Sequence, residues 1–192
     1  MDYFYVDVET VPIDKGRYSE LSEEERKKLL NPIDSRIIAI GVQKNADPIQ
    51  IFAGEDEGKI LAEFWSLLAS RPSGSGPARM VGFNIKDFDL PFLVTRSFLK
   101  GVKIHPFLLK DVMDVREQVA AFKYGPTRGK LKEYAALLGM AVLDDMDGSQ
   151  VAERYWKGEL PKIVDYLRRD VELTRAMHVR MIELRISEIG RW

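Results

Sequence analysis

Cysteine is absent from all 192 residues, which excludes disulfides, thiolate-held metals and cysteine nucleophiles and fits a reducing compartment. Histidine is nearly as scarce. With only His105 and His178, a histidine-rich zinc site is not expected. Any metal would therefore be held by oxygen, the preference of Mg²⁺ and Mn²⁺. Charge of one sign is also lacking: a net charge of −1 gives no global field advertising nucleic acid. No apolar run reaches transmembrane length, and the N-terminus lacks a basic region followed by an apolar one. A cytoplasmic protein with no membrane partner is expected. There is no internal repeat and no low-complexity tract. The length suits one domain spanning 1–192, with enough chain for a proper core.

What the chain does have is an apolar strand carrying two acids. Tyr3 to Pro12 (Tyr-Phe-Tyr-Val-Asp-Val-Glu-Thr-Val-Pro) is rich in aromatic and β-branched residues and reads as a buried β-strand. Residues i and i+2 of a strand share a side, so Asp7 and Glu9 leave the sheet together near the strand's end. Neither face looks wet. Two adjacent buried carboxylates are costly unless a cation sits between them, and a divalent metal is the simplest partner. Taken alone, an acid-x-acid triplet more commonly marks the wet face of a half-exposed strand, so the reading depends on further ligands elsewhere.

The next residues, Ile13 to Asn31, read as a surface excursion holding one short helix behind a capping box, Ser22 with Glu25. Arg36–Val42 and Ile49–Ala53 read as strands that complete an antiparallel three-strand meander with short connections. Gly58–Ser70 is an amphipathic helix. After a loop at 71–77, Met80–Phe83 is expected to return parallel beside the first strand, with its C-terminal end next to Asp7 and Glu9. A helix follows from about Asp89 to Lys100, with Pro91 in its first turn. One of Asp87 and Asp89 is expected to cap it, leaving the other for a metal, and Phe88 between them is either core or a base-stacking wedge.

Leu108–Val115 is a short strand or turn with Asp111 and Asp114, and Arg116–Lys123 reads as helix. A loop at 124–130 leads to a helix over Leu131–Leu138. The acids Asp144, Asp145 and Asp147 lack the glutamate that an EF-hand requires, so a calcium loop is discounted. Ser149 is read as the cap of a helix over Gln150–Trp156, and a last helix spans about Leu160 to Ile186. On that helix Leu160, Ile163, Val164, Leu167, Val171 and Thr174 form one apolar face. Tyr166 and Asp170, spaced i and i+4, stack on its edge. An acid on such a shoulder needs a partner: an arginine elsewhere, or the site holding Asp7 and Glu9. The fold class is α/β, a mixed sheet flanked by helices.

Three separated pieces, Asp7-Val-Glu9, Asn84-Ile-Lys-Asp-Phe-Asp89 and Tyr166-Leu-Arg-Arg-Asp170, thus occur in order on a strand, a helix start and a late helix. In that order they resemble the DEDDy branch of the proofreading 3′–5′ exonucleases, which have a ribonuclease H-like fold. The second piece, with Leu90-Pro91-Phe92 after it, is similar to the exonuclease domain of family B DNA polymerases. The polymerase palm and fingers have no counterpart in this sequence, so it resembles the stand-alone relatives of that domain.

The resemblance implies a metal-dependent 3′–5′ exonuclease acting on the 3′ end of single-stranded DNA. It implies Asp7, Glu9, Asp89 and Asp170 as ligands of two Mg²⁺ or Mn²⁺ ions, with Asp89 rather than Asp87 chosen as the acid of the Phe-Asp pair. Tyr166 is implied to orient the attacking water, Asn84 and Phe88 to contact the terminal nucleotides, and Thr10 to do so through its backbone. Lys86 to Lys132 contains ten Lys/Arg against five Asp/Glu, a local excess that as a set would line the strand's path, Lys86 included. An exoribonuclease or oligoribonuclease, and a nucleic-acid-binding module on an inactive nuclease fold, are the alternatives. A polymerase or repair partner stays open.

Overall fold

The computed structural model describes residues 1–70, 77–123, 129–142 and 146–190. The expected loop residues 71–76 and 124–128, with Asp144 and Asp145, lie outside the described residues. Five strands, β1 (Asp2–Pro12), β2 (Ser35–Lys44), β3 (Gln50–Ala53), β4 (Ala78–Gly82) and β5 (Val112–Asp114), form one sheet in the order β3-β2-β1-β4-β5. β1–β2 and β2–β3 are antiparallel, whereas β4 joins β1, and β5 joins β4, in parallel. The mixed sheet read from the sequence is thus the observed one.

Alternation in β1 decides which helices cover which face. Phe4, Val6 and Val8 point to one side, where they pack with Ile60, Leu61, Phe64 and Trp65 of α3 (Glu57–Ala69) and Leu90, Phe92 and Leu93 of α4 (Asp89–Lys100). Tyr5 faces the other side, with Leu167, Val171, Met177 and Met181 of α8 (Leu160–Glu183). Being central and covered on both faces, β1 is buried throughout except for half-buried Asp2, Tyr3 and Asp7. The pairing of β1 with β4 ends at Tyr5↔Val81. Beyond it the strands part: a Cβ on Gly82 would lie 2.9 Å from the Val6 carbonyl oxygen and 2.6 Å from Ile85 Cβ, so only glycine fits where the chain turns away.

Several boundaries differ from the sequence reading. The β1–β2 connection is not short, because it carries α1 (Lys15–Glu20), capped by Asp14, as well as α2 (Glu23–Lys28) behind the expected Ser22–Glu25 capping box. Nor is it only a surface excursion: Tyr18 and Leu29 are buried with Val11, Met146 and Ile163, and the Tyr18 ring meets Trp156 edge-on at 5.0 Å. α5 covers only Val115–Val119, since Ala121 and Phe122 take positive φ and close the turn through Phe122 N–H to Glu117 O. α6 (Leu131–Leu137) is as expected. Asp147, not Ser149, caps the turn before α7 (Val151–Trp156), its carboxylate accepting from the Ser149 N–H. α8 stops at Glu183 rather than Ile186, where Arg185 adopts φ 60. No helix among the described residues is long and apolar enough to cross a membrane.

Candidate active site

Three of the four predicted acids meet where β1 passes under α8. Asp7, Glu9 and Asp170 each offer a carboxylate oxygen, and these oxygens lie within 4.8 Å of one another. Asp7 and Glu9 are brought there by the period of the strand, and Asp170 by the apolar stripe that docks α8 on the same face. Glu9 and Asp170 are each 7% exposed, so they are not surface acids that solvent can screen. Tyr166, one turn before Asp170, is buried, and its hydroxyl favours the ionised form of Asp170. One Asp170 oxygen, Oδ1, is buried without a hydrogen-bond partner. An orphaned carboxylate oxygen facing two further carboxylates is a donor set suited to a hard divalent cation.

Asp89 stands beside this group from the first turn of α4. Its Oδ1 accepts the Val8 N–H at 3.0 Å, on the side of β1 that β4 has left. A buried backbone donor that has lost its strand partner is thereby satisfied by a carboxylate. Neither aspartate caps α4, which has no side-chain cap bond; Asp87 is exposed and Asp89 is turned to β1.

The electrostatics follow from the geometry. Burial, then the charges of Asp89, Glu9 and Asp170, pushes the Asp7 carboxyl well above the usual range. Burial, then Asp170 and Asp89, does the same to Glu9 against the opposing pull of Lys132. Burial raises Asp89 to about 7 despite the Val8 N–H. It raises Asp170 to about 6 despite Lys132 and the Tyr166 hydroxyl. Tyr166 is raised too, by burial and then by Glu9, Asp170 and Asp7, so it stays a neutral phenol at any working pH.

These shifts predict how stability responds to pH and metal. A carboxyl whose folded pKa exceeds its unfolded value of about 4 stabilises the fold below pH ~4 and loses that contribution as pH rises through the folded value. For Asp170 and Asp89 the loss runs from about 4 to about 6 and about 7. In EDTA the melting temperature is therefore expected to fall between pH 5 and 8, less so in Asp170→Asn. Mn²⁺ should raise it most at pH 8, because metal and protons compete for the same oxygens. A melt that is flat in EDTA, or equally Mn²⁺-responsive at both ends, would be incompatible with this cluster.

The other predicted residues are placed as follows. Thr10 is buried at the strand's end, beside the Glu9/Thr10 register shift. Asn84 holds φ 65, and its Oδ1 accepts from Arg116 Nη1 at 2.9 Å. Lys86 pairs with Glu117 at 2.8 Å. Phe88 is half-buried against Phe92, ring centroids 5.0 Å apart, so it belongs partly to the core. The run of basic residues is not one stripe. Arg96 is buried in a two-pronged pair with Glu57, at 2.8 and 2.6 Å, on the far side of the sheet.

Two residues escaped assignment from the sequence. Lys132 was only one of ten cations, yet its Nζ lies 4.3 Å from the Tyr166 ring centroid, donates to the Met146 carbonyl and draws down Glu9 and Asp170. Asp114, 2% exposed, accepts four backbone N–H groups, those of Asn84, Lys86, Arg116 and Glu117. It thereby ties the loop carrying Asn84 to Asp89 onto β5 and α5. Its signal was in the sequence: Asp114 with Glu117 three residues on is a helix-start pattern.

The sequence model of a family described as "Predicted 3'-5' exonuclease related to the exonuclease domain of PolB" matches residues 108–187. An uncharacterized protein of Methanocaldococcus jannaschii is 33% identical over 169 residues, covering 83% of this chain and 93% of its own. DNA polymerase 2 of Aeropyrum pernix is 27% identical over 173 residues, which are 77% of this chain but 20% of the polymerase. Among solved structures, the family B DNA polymerase of Pyrobaculum calidifontis superposes with TM-score 0.70 at 18% identity, over 97% of this chain and 25% of that one. Exonuclease I does so with TM-score 0.59 at 13% identity, over 96% and 44%. The fold is therefore ribonuclease H-like, and the chain spans about a quarter or less of the polymerases it matches.

Proposed function

The chain belongs to the family of predicted 3′–5′ exonucleases related to the exonuclease domain of PolB, and on that premise we propose that it is a metal-dependent exonuclease of the DEDDy type, folded as one domain, which removes nucleotides from the 3′ end of single-stranded DNA. The observation that carries this reading is the convergence of Asp7, Glu9 and Asp170 on one buried point with Asp89 alongside. Asp7, Glu9, Asp89 and Asp170 would hold two Mg²⁺ or Mn²⁺ ions. When bound, such ions supply positive charge to the attacking and leaving oxygens of the phosphodiester together.

The chain's own groups do the rest. Four carboxylates would balance the charge of two divalent ions, offsetting the burial, and for Asp7 and Glu9 also the mutual repulsion, that raises their pKa values. Tyr166 remains protonated, so it acts as a hydrogen-bond donor that orients the attacking water and not as a base. Lys132, against the Tyr166 ring and drawing on Glu9 and Asp170, adds positive charge where a phosphate would enter. Asn84 and Phe88, on the loop whose Asn84 and Lys86 N–H groups bond to Asp114, and the Thr10 backbone would contact the terminal nucleotide; Lys86 lies on the same loop.

The test uses pure protein with 3′- and 5′-labelled single strands of DNA and of RNA, in Mg²⁺, Mn²⁺ or EDTA. Stepwise loss of the 3′ label from DNA in metal, abolished by EDTA, is the expected result. Faster loss from RNA would move the activity to exoribonuclease, through contacts to the 2′-hydroxyl. Binding of the single strand with no cleavage in either metal would leave a binding module and sink the enzymatic reading.

A further inference from the structure

Tyr5 and His178 form a second contact between β1 and α8, on the same two faces as the acids. Tyr5, Asp7 and Glu9 are i, i+2 and i+4 of the strand; Asp170, Thr174 and His178 are i, i+4 and i+8 of the helix. Rising about 3.3 Å per residue, β1 covers ~13 Å from Tyr5 to Glu9, and at ~1.5 Å per residue α8 covers ~12 Å from His178 back to Asp170. The two lengths match. The elements therefore meet at both ends of the same span, acids at one and the Tyr5–His178 hydrogen bond at the other, where Tyr5 Oη lies 3.0 Å from His178 Nδ1.

The two contacts differ in sign. Without metal the acidic end is repulsive, and Asp170 raises the pKa of both Asp7 and Glu9. The Tyr5–His178 end is attractive and deeply set. His178 is 0% exposed, its ring meets Tyr3 edge-on at 4.7 Å, and burial beside Arg79 holds it neutral, with its pKa lowered to about 4. Between them Gly41, paired with Asp7 on β2, lets the helix approach closely: a Cβ there would come within 2.9 Å of Val171 Cγ2 and 3.1 Å of Leu167 Cγ. Close packing fixes the distance between helix and strand, but apolar contacts are non-directional and resist a shift along the strand less sharply. A hydrogen bond at a fixed point does resist it.

The geometry points to Tyr5 and His178 as a positioning pair that fixes the register of α8 on β1, and so holds Asp170 and Tyr166 against Asp7 and Glu9 where a cation binds. This inference rests on the metal-site reading above. Neither residue touches the reacting groups.

The test is a Mn²⁺ titration, read by electron paramagnetic resonance well below each variant's melting temperature, on wild type, Tyr5→Phe, His178→Leu, His178→Asn and the double variant Tyr5→Phe/His178→Leu. Partners that orient metal ligands typically contribute about 10–100-fold in affinity. Tyr5→Phe and His178→Leu are each expected to weaken Mn²⁺ binding about 10-fold, with single-turnover cleavage at saturating Mn²⁺ much less affected. The double variant should be no worse than the weaker single, because both remove one bond. His178→Asn, which retains a polar atom near the position of Nδ1, should restore part of the loss. Wild-type Mn²⁺ affinity in both singles, with only a lowered melt, would make the pair ordinary core, and losses that add in the double would show that they do not act through one bond. Either result overturns the proposal. A wild type that binds Mn²⁺ in this pair-dependent way yet cleaves no nucleic acid would uphold the positioning role and overturn the nuclease reading instead.

Discussion

Asp7→Ala and Asp170→Ala are each expected to abolish cleavage while leaving the metal-free protein as stable as wild type, or more so. Loss of activity follows from the cluster. Each carboxylate supplies an oxygen to the one point where three converge, and each neutralises part of the charge of a bound ion. Charge stabilisation by such ions is worth several kcal/mol at the transition state, so a fall of about 10³-fold or more is expected. Stability moves the other way because these groups are unfavourable when ionised. Both pKa values are raised, so at pH 8 in EDTA the fold holds charges it would rather shed. Removing one relieves burial and repulsion together. For a chain of this size each ~1 kcal/mol gained raises the melting temperature by about 2–4 °C. The gain should vanish on adding Mn²⁺, which stabilises wild type but not the variants. Wild-type turnover in either variant, or a melt lowered by several degrees in EDTA, would show the acids to be structural.

Tyr166→Phe is expected to slow cleavage by about 10²–10⁴, the usual range for a lost positioning or proton-handling group, without weakening metal binding. The phenyl ring remains, so the packing of Tyr166 with Val11, Ile163 and Val151 is kept, as is the face it presents to Lys132. What is lost is the hydroxyl proposed to orient the attacking water. All four carboxylates survive, so Mn²⁺ affinity should stay near that of wild type and single-strand binding should be unchanged. If Tyr166 were only a core residue, losing its hydrogen bond would lower stability by about 1 kcal/mol and leave the rate alone. Single-turnover rates measured beside melting curves separate the two, and a normal rate with a lowered melt removes Tyr166 from the mechanism.

Much of the fold was legible because its signals are local. β-branched and aromatic residues around Asp7 and Glu9 mark a strand covered on both faces, and β1 is the central strand of the sheet. The span from Asp89 to Lys100 with Pro91 in its first turn is helical as read. Misreadings occurred where local preference was overruled. Ala121 and Phe122 sit in a helix-like stretch yet take positive φ, and α8 ends early at the same kind of residue, Arg185. α1 was missed because its only apolar anchor is Tyr18, whose partners Met146 and Trp156 lie far along the chain.

The sequence by itself determined which residues share a face. Strand period puts Asp7 with Glu9, and helix period puts Tyr166 with Asp170, because a chain's geometry over a few residues is set by its own backbone. Only the tertiary structure decided how those faces meet. It brings Asp170 within reach of two acids more than 160 positions earlier, and turns Asp89 to a Val8 N–H that is open because β4 leaves β1 after Tyr5. It sets Lys132 against Tyr166 while burying Arg96 with Glu57 across the sheet, though both were cations of one run. The reason is physical. Spacing along the chain encodes direction around a strand or helix, but the distance between elements is set by what packs between them, and here that includes the missing side chain of Gly41.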